Sequence, residues 1–224
     1  MRYEYCEFAN LKYITRYPKE YKEGEKYPVL IFLHGAGSRG NNLEMLKSNG
    51  FFTMSENIEN FPFITIAPQC SAKTWFDVFE RLKRVVSHVC NEAYTDKKRV
   101  YVMGSSLGGY GTWQLSISMA EVIAAAVPIC GGGVAAMVGD MINVPVWAFH
   151  GELDKCVMLE EAKIMVNALN ECGGNAKLTA LEGVGHSAWD YVYGNAAVYE
   201  WLLSHENTNA LTIPDVYNDM TLYG

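Results

Sequence analysis

The sequence has no run that approaches the roughly 20 consecutive apolar residues that a membrane-spanning helix requires. Its longest apolar stretch, residues 122–130, has the length of a strand. The first residues, M-R-Y-E, also lack the apolar core of a secretory signal. We therefore expect no membrane partner and a cytoplasmic location, or secretion if a signal peptide has been removed from the chain.

Concentrated positive charge is also missing from the sequence. The formal net charge is −7, and the longest basic cluster is the K-K-R step at residues 97–99. A chain with this charge repels polyanions, which argues against nucleic acid as a partner. The basic step directly precedes an apolar segment, so we interpret it as a solvated turn before a strand.

Metal-binding patterns are absent as well. The six cysteines include no C-x-x-C pair, which argues against a zinc ribbon and a thioredoxin-like redox site. The five histidines show no ligand spacing on a helix face. The sequence therefore predicts no metal site, and the chain is large enough to fold without disulfides.

What the sequence does contain is an alternation of short β-branched apolar runs with longer helical stretches. Half of its 224 residues are apolar, enough for one large core. Such alternation predicts an α/β fold with a mostly parallel, twisted sheet covered by helices on both faces. We expect one domain over residues 1–224, with an antiparallel edge hairpin in residues 1–28 and a loosely held tail in residues 206–224. The predicted strands are Val29–Leu33, Phe63–Ala67, Val100–Met103, Ile123–Pro128, Val146–His150 and Lys177–Leu181.

Four helices are predicted between or after these strands. Asp77 is a candidate N-cap for the first, whose apolar positions recur on one face up to Val89. The second follows Ser106, the third covers residues 159–169, and the fourth runs from about residue 189 to residue 203. No long insertion resembles a lid, so the site is expected to be open.

The strongest chemical motif is G-x-S-x-G at residues 104–108, directly after a predicted strand and before a predicted helix. In this context the serine, Ser106, sits in a strained turn that exposes its hydroxyl as a nucleophile. Ser105 does not fit the motif, because its flanking positions are not glycine. The alternative is a glycine-rich loop without chemistry.

A serine hydroxyl needs a base, and in this strand–turn–helix arrangement the acid and the histidine follow the nucleophile in that order. His186 is our predicted base rather than His150, which leaves only Asp140 and a few glutamates as an upstream acid; a capping or core role for His186 is the alternative. Asp154, just past a predicted strand end, is the predicted acid that holds the imidazole. An N-cap role for Asp154 stays open, with Glu152 as the reserve acid.

An oxyanion site is predicted at the H-G-A-G turn of residues 34–37. Small residues there allow backbone N–H groups to face the nucleophile, and the N–H after the nucleophile completes the pair. The predicted donors are the amides of Ala36 and Leu107. The alternative is an ordinary glycine turn.

These motifs together resemble the esterase and predicted-peptidase branch of the α/β hydrolases, whose relatives include feruloyl-esterase-like carbohydrate esterases and polyhydroxybutyrate depolymerases. The resemblance covers roughly residues 27–203 and implies a triad of Ser106, Asp154 and His186, with no metal and no organic cofactor. It implies cleavage of small or aromatic acyl esters, some of them carbohydrate-linked. The segments that carry it are residues 27–37, 67–70, 99–104, 106–113, 127–132, 149–151 with Asp154, and 185–189.

Substrate contacts are less well defined than the reaction. Arg39, Gln69, Trp75 and Trp189 lie near the motif loops and are the candidates, whereas Trp113 is expected in the core. A peptidase or a thioesterase would use the same triad. A binding domain that kept the fold without activity is the alternative from another class. The oligomeric state is not predicted.

Overall fold

A computed structural model describes residues 1–208, and most of the predicted tail of residues 206–224 lies outside the described part. Eight strands form a single sheet in the order β1-β2-β4-β3-β5-β6-β7-β8. The strands from β4 to β8 along this order run parallel, while β2 pairs antiparallel with both β1 and β4. The strands are β1 Tyr3–Phe8, β2 Leu11–Arg16, β3 Tyr27–Leu33, β4 Ile64–Pro68, β5 Thr95–Ser105, β6 Ala125–Ile129, β7 Val146–Gly151 and β8 Ala176–Leu181.

Helices cover both faces of this sheet, as the continuous apolar runs of the central strands predict. One face packs against α3, α4 and α5, and the other against α1, α2 and α6. Side chains of β3 alternate between the two core layers, with Val29, Ile31 and Leu33 on the first and Leu30 and Phe32 on the second. The helices are α1 Leu43–Lys47, α2 Gly50–Glu56, α3 Phe79–Cys90, α4 Leu107–Ser118, α5 Leu159–Glu171 and α6 Ala196–Leu203.

This architecture confirms the predicted fold class. Strand β5 is longer than predicted, and β6 begins two residues later than predicted, at Ala125. The antiparallel hairpin expected in residues 1–28 is shorter in the structure: β1 and β2, residues 3–16, form it, and β1 is an edge strand of the sheet. None of the helices in residues 1–208 is long and apolar enough to cross a bilayer.

Two helix predictions are wrong in detail. Asp77 does not cap α3; its Oδ2 accepts hydrogen bonds from the amide and the hydroxyl of Thr74, and the helix begins at Phe79 after a 3₁₀ turn. The segment from residue 189 to residue 203 is not one helix. A 3₁₀ turn over Ala188–Tyr191 ends first, and Asn195 then caps α6 through a bond from Ala197 N–H at 3.1 Å.

Candidate active site

Ser106 occupies a strained turn between β5 and α4. Its backbone angles are φ 54° and ψ −115°, in a region that non-glycine residues seldom adopt. The Ser106 N–H donates to Ile129 O at 2.8 Å, which fixes the turn on the neighbouring strand β6. The turn thus projects the hydroxyl beyond the carboxyl edge of the sheet.

The two glycines of the motif make this turn possible by close backbone contact. A Cβ on Gly108 would lie 1.8 Å from Leu33 O. A Cβ on Gly104 would lie 2.5 Å from Gly108 O and 2.6 Å from Leu33 O. Side chains at either position would therefore separate α4 from β3 and move the nucleophile.

The loops after β5, β7 and β8 bring three side chains together at one edge of the sheet. His186 Nε2 lies 2.9 Å from Ser106 Oγ, and His186 Nδ1 lies 2.7 Å from Asp154 Oδ2. An ionised carboxylate can only accept a hydrogen bond, so His186 Nδ1 carries the proton that faces Asp154. Nε2 is then unprotonated and can accept the proton of the Ser106 hydroxyl. The three residues named from the sequence therefore form one hydrogen-bonded chain.

Asp154 is buried, and its carboxylate is held by several donors. Burial acts to raise the pKa of Asp154, but the hydrogen bond from His186 and those from the amides of Val157 and Cys156 lower that pKa overall. The two amides donate to Oδ1 at 2.9 Å (Cys156) and 3.0 Å (Val157). The carboxylate is thus kept ionised, in the state that stabilises a protonated imidazole.

A second loop, residues 34–37, lies against the nucleophile. A Cβ on Gly35 would lie 3.3 Å from Ser105 O and 3.7 Å from Ser106 Cβ. Among residues 1–208, no group accepts a hydrogen bond from the backbone N–H of Ala36 or of Leu107. Two donors beside the hydroxyl are therefore available to a substrate oxygen.

His34 holds this loop from inside the core. Its Nδ1 lies 2.7 Å from Gly35 O and donates to it, while its Nε2 accepts the Cys70 N–H at 3.0 Å. The Trp75 indole N–H donates to His34 O at 3.1 Å. Burial lowers the pKa of His34 to about 4, so the imidazole is neutral and can accept from Cys70.

A cleft of ≈ 320 Å³ opens beside the nucleophile, within the usual size range for small-molecule sites. Trp189 lines it and meets His186 edge to face, with the ring centres 5.1 Å apart. Asp190 is the one lining residue with a carboxylate, and no Lys or Arg lines this cleft among the described residues. The lining residues are Gly35, Ala36, Gly37, Ser38, Asn49, Gly50, Ser105, Ser106, His186, Trp189, Asp190 and Tyr193.

Three of the four predicted substrate contacts lie elsewhere. Trp75 is fully buried under His34, and Gln69 is buried with its Nε2 donating to Ser38 O and to Asn42 O. Arg39 is exposed, but it bonds to the carbonyls of Ala36 and Lys73 and does not line the cleft. Burial excludes direct substrate contact for Trp75 and Gln69 in this conformation, and all three side chains support the loop instead.

The sequence analysis singled out neither Tyr193 nor Cys130 for the site, and it considered His150 only as an alternative base. Tyr193 lines the cleft, and its buried hydroxyl donates to Ser105 Oγ at 2.7 Å. The Cys130 thiol donates to His186 O at 3.3 Å and so contacts the loop that carries the base. His150 touches Asp154. His150 ends a strand beside the site, which is a sequence signal, whereas the Tyr193 contact exists only in the folded chain.

Two groups of side chains here have the composition of metal ligands. Cys130, His150 and Asp154 form one, and Asp154, Cys156 and His186 form the other, with the ligand atoms of each group within 4.8 Å of one another. Both groups depend on Asp154, whose two oxygens already accept hydrogen bonds from His186 and two amides. The donor set is therefore occupied by the hydrogen-bonded chain.

Comparison with protein families gives a match over more than half of the chain. Residues 59–194 match the model of the dienelactone hydrolase family. This span contains Ser106, Asp154 and His186. No curated protein matches the chain.

Solved structures give further matches. A thermostable esterase is 28% identical, with a TM-score of 0.78 over 92% of this chain and 63% of the esterase chain. This chain therefore spans less than two thirds of that esterase. The feruloyl esterase module from Clostridium thermocellum, complexed with sinapinate, is 18% identical, with a TM-score of 0.67 over 90% of this chain and 86% of the module. Dipeptidyl peptidase 4 from Porphyromonas gingivalis is 13% identical, with a TM-score of 0.69 over 91% of this chain and 35% of the peptidase; the last two matches concern the fold alone.

Proposed function

Since the chain belongs to the dienelactone hydrolase family, we propose that it is a serine hydrolase that cleaves carboxylic esters through an acyl-enzyme on Ser106. The observation that carries the proposal is the chain of hydrogen bonds from Ser106 Oγ through His186 to Asp154, at 2.9 Å and 2.7 Å. The match to a thermostable esterase at 28% identity adds support for an ester substrate.

The reaction follows from the protons that each atom can hold. Ser106 Oγ attacks the ester carbonyl while His186 Nε2 takes the hydroxyl proton. The carbonyl oxygen becomes an oxyanion that the amides of Ala36 and Leu107 bind, a contribution of about 2.7–4 kcal/mol for each such donor. Asp154 stabilises the imidazolium without taking its proton. His186 then protonates the leaving alcohol. In the second half of the reaction His186 takes a proton from water, the water oxygen attacks the acyl-enzyme, and the carboxylic acid and free Ser106 are released.

The cleft favours small, uncharged acyl groups. Its volume of ≈ 320 Å³ suits a short or single-ring acyl chain, and Trp189 offers an aromatic face at its edge. Asp190 disfavours an anionic group, since the lining among the described residues holds no Lys or Arg to offset the carboxylate. We therefore propose neutral acetyl, short aliphatic or aromatic esters, including sugar-linked ones, as substrates.

Covalent labelling with a fluorophosphonate probe tests the proposal. The intact protein should gain one probe per chain, and Ser106→Ala should remove both the label and the turnover of p-nitrophenyl acetate. Ser118→Ala is the matched control, because Ser118 ends α4 and does not line the cleft. A wild-type chain that takes no label would favour a binding domain, and labelling that survives in Ser106→Ala would indicate another nucleophile.

Substrate class is tested by comparing kcat/KM across one panel. It contains p-nitrophenyl acetate and butyrate, methyl ferulate, an acetyl thioester and a dipeptide p-nitroanilide. We expect the oxygen esters to exceed the anilide by at least a hundredfold. A higher value for the anilide would mean that the enzyme is a peptidase.

A further inference from the structure

The carboxylate of Asp154 contacts two imidazoles. His186 Nδ1 lies 2.7 Å from Oδ2, and His150 Nε2 lies 3.3 Å from the same oxygen. The two rings come from different parts of the fold, since His150 belongs to β7 and His186 to the loop after β8. The reaction described above uses only the second ring, so the first has no assigned role.

The surroundings of His150 determine where its proton lies. Its Nε2 faces two acceptors, Val157 O at 2.9 Å and Asp154 Oδ2 at 3.3 Å. Its side chain is fully buried, and among residues 1–208 no hydrogen-bond partner lies at its Nδ1. A proton on Nδ1 would therefore be buried without an acceptor, which is costly. Both observations put a proton on Nε2 and none on Nδ1.

His150, Val157 and Asp154 form a set of two hydrogen bonds and one close contact, the 3.3 Å approach of His150 Nε2 to Asp154 Oδ2. Val157 O accepts from His150, while Val157 N–H donates to Asp154 Oδ1 at 3.0 Å. Strand β7 carries His150, so the set ties the turn that holds the carboxylate to a central strand of the sheet. Turns held this way keep a side chain in one rotamer.

We infer that His150 is a positioning residue for the hydrolysis: its Nε2–H donates to Val157 O and lies 3.3 Å from Asp154 Oδ2, and so it holds the turn that carries the carboxylate against His186. The inference rests on the proposed function. Its physical effect is twofold. The bond to Val157 O keeps the turn that carries Asp154 beside His186, and the nearby Nε2–H draws part of the negative charge on Oδ2 away from His186.

Loss of this donor should shift the pH dependence in a defined direction. Without the Nε2–H group 3.3 Å from Oδ2, the carboxylate attracts the imidazolium form of His186 more strongly, so the activity should fall at a higher pH on the acid side of the profile. The other titratable groups near Asp154 are Cys130 after β6, Cys156 in the same turn, and Tyr110 on α4. Burial holds the pKa of the Cys130 thiol at about 12, so this thiol stays neutral throughout the pH range of the test.

The test compares His150→Leu with His150→Gln. Leucine removes the donor, whereas glutamine can place an amide N–H near the position of Nε2. We expect His150→Leu to lower kcat/KM for p-nitrophenyl acetate about tenfold, the order expected for the loss of one hydrogen bond, and to move the acid limb of the pH profile upward by about half a unit or more. His150→Gln should restore kcat/KM to within about threefold of the wild-type value, and the acid limb of the pH profile to within a few tenths of a pH unit. A matched control, His88→Leu, changes a histidine on α3 that does not line the cleft and should alter neither.

A purely structural role predicts a different pattern. Below its unfolding temperature, His150→Leu would then keep the wild-type pH profile, and glutamine would not restore activity, which would overturn the inference. If the leucine variant does not fold, nitrogen-15 NMR of the wild-type histidines tests instead which ring nitrogen of His150 carries the proton. His150 should show the Nε2–H tautomer at the pH of the assay, and a ring that carries its proton on Nδ1 would refute the assignment.

Failure of the proposed function gives a separate signature. If no ester is hydrolysed, the rate of fluorophosphonate labelling at Ser106 provides the same pH profile, because it depends on the same serine and imidazole. If the wild-type serine takes no label, the proposed function fails, and the inference about catalysis fails with it. An active wild type with an unaffected His150→Leu refutes the inference alone.

Discussion

Acid should destabilise this protein in part through one buried imidazole, that of His34. Burial lowers the pKa of His34 in the folded state to about 4, from an ordinary value of 6.5. The unfolded chain therefore binds a proton more readily than the folded chain between these two values. The stability that His34 contributes is complete above pH 6.5 and is lost as the pH falls towards 4.

The size of the effect follows from the same two pKa values. At pH 5 the unfolded histidine is almost fully protonated and the folded one mostly neutral, which corresponds to a loss of about 2 kcal/mol relative to pH 7.5, and at pH 4 the loss is about 3 kcal/mol. Urea unfolding followed by circular dichroism at pH 7.5 and pH 5 measures the difference. Other groups titrate in this range, so the informative quantity is the difference between the wild type and a variant.

His34→Gln is the variant to compare. Its amide oxygen can accept the Cys70 N–H, but it does not titrate, so the free energy of unfolding should fall by about 2 kcal/mol less between pH 7.5 and pH 5 than in the wild type. The control is His88→Gln, since His88 is only partly buried, on α3. Parallel pH curves for the wild type and His34→Gln would refute the reasoning, because the imidazole would then be protonated equally in both states.

Two further predictions concern packing at the nucleophile. Gly108→Ala should destabilise the fold by on the order of 4 kcal/mol or prevent folding, because its Cβ would lie 1.8 Å from Leu33 O; Gly139→Ala, whose Cβ would meet nothing within 4 Å, should change the unfolding temperature little. Tyr193→Phe should cost about 1–3 kcal/mol in urea unfolding, because it removes the donor to Ser105 Oγ, and an unchanged midpoint would mean that water replaces that bond.

The sequence predicts the catalytic candidates well because few residues compete for each role. G-x-S-x-G selects Ser106 over its neighbour, and the only aspartates between this serine and His186 are Asp140 and Asp154. Because the central strands run parallel, their carboxyl ends lie at the same edge of the sheet. The structure brings these three side chains within hydrogen-bond distance.

Other features depend on contacts that no local pattern contains. Trp75 lies close in sequence to a motif loop, but sequence distance does not tell whether an indole faces the cleft or the core. In the structure it faces the core. The division of the segment from residue 189 to residue 203 had a local signal in Asn195, a favoured N-cap residue that follows a glycine. Continuous apolar spacing across that position hid the signal.

Tryptophans occur in both core layers, and this distribution makes the two faces of the sheet optically distinguishable. Trp75 and Trp113 are buried on the face covered by α3, α4 and α5, whereas Trp147 and Trp201 pack at the opposite face. The ammonium of Lys177 lies 3.5 Å from the ring centre of Trp147, so the two pairs emit from different surroundings. Replacing Trp75 and Trp113 with phenylalanine would leave reporters on the second face alone. A reporter for the first face requires replacement of Trp147, Trp201 and also Trp189, which packs against the second layer. Melting curves from the two reporters coincide if the faces separate from the sheet in a single step, and they diverge if one face comes apart first.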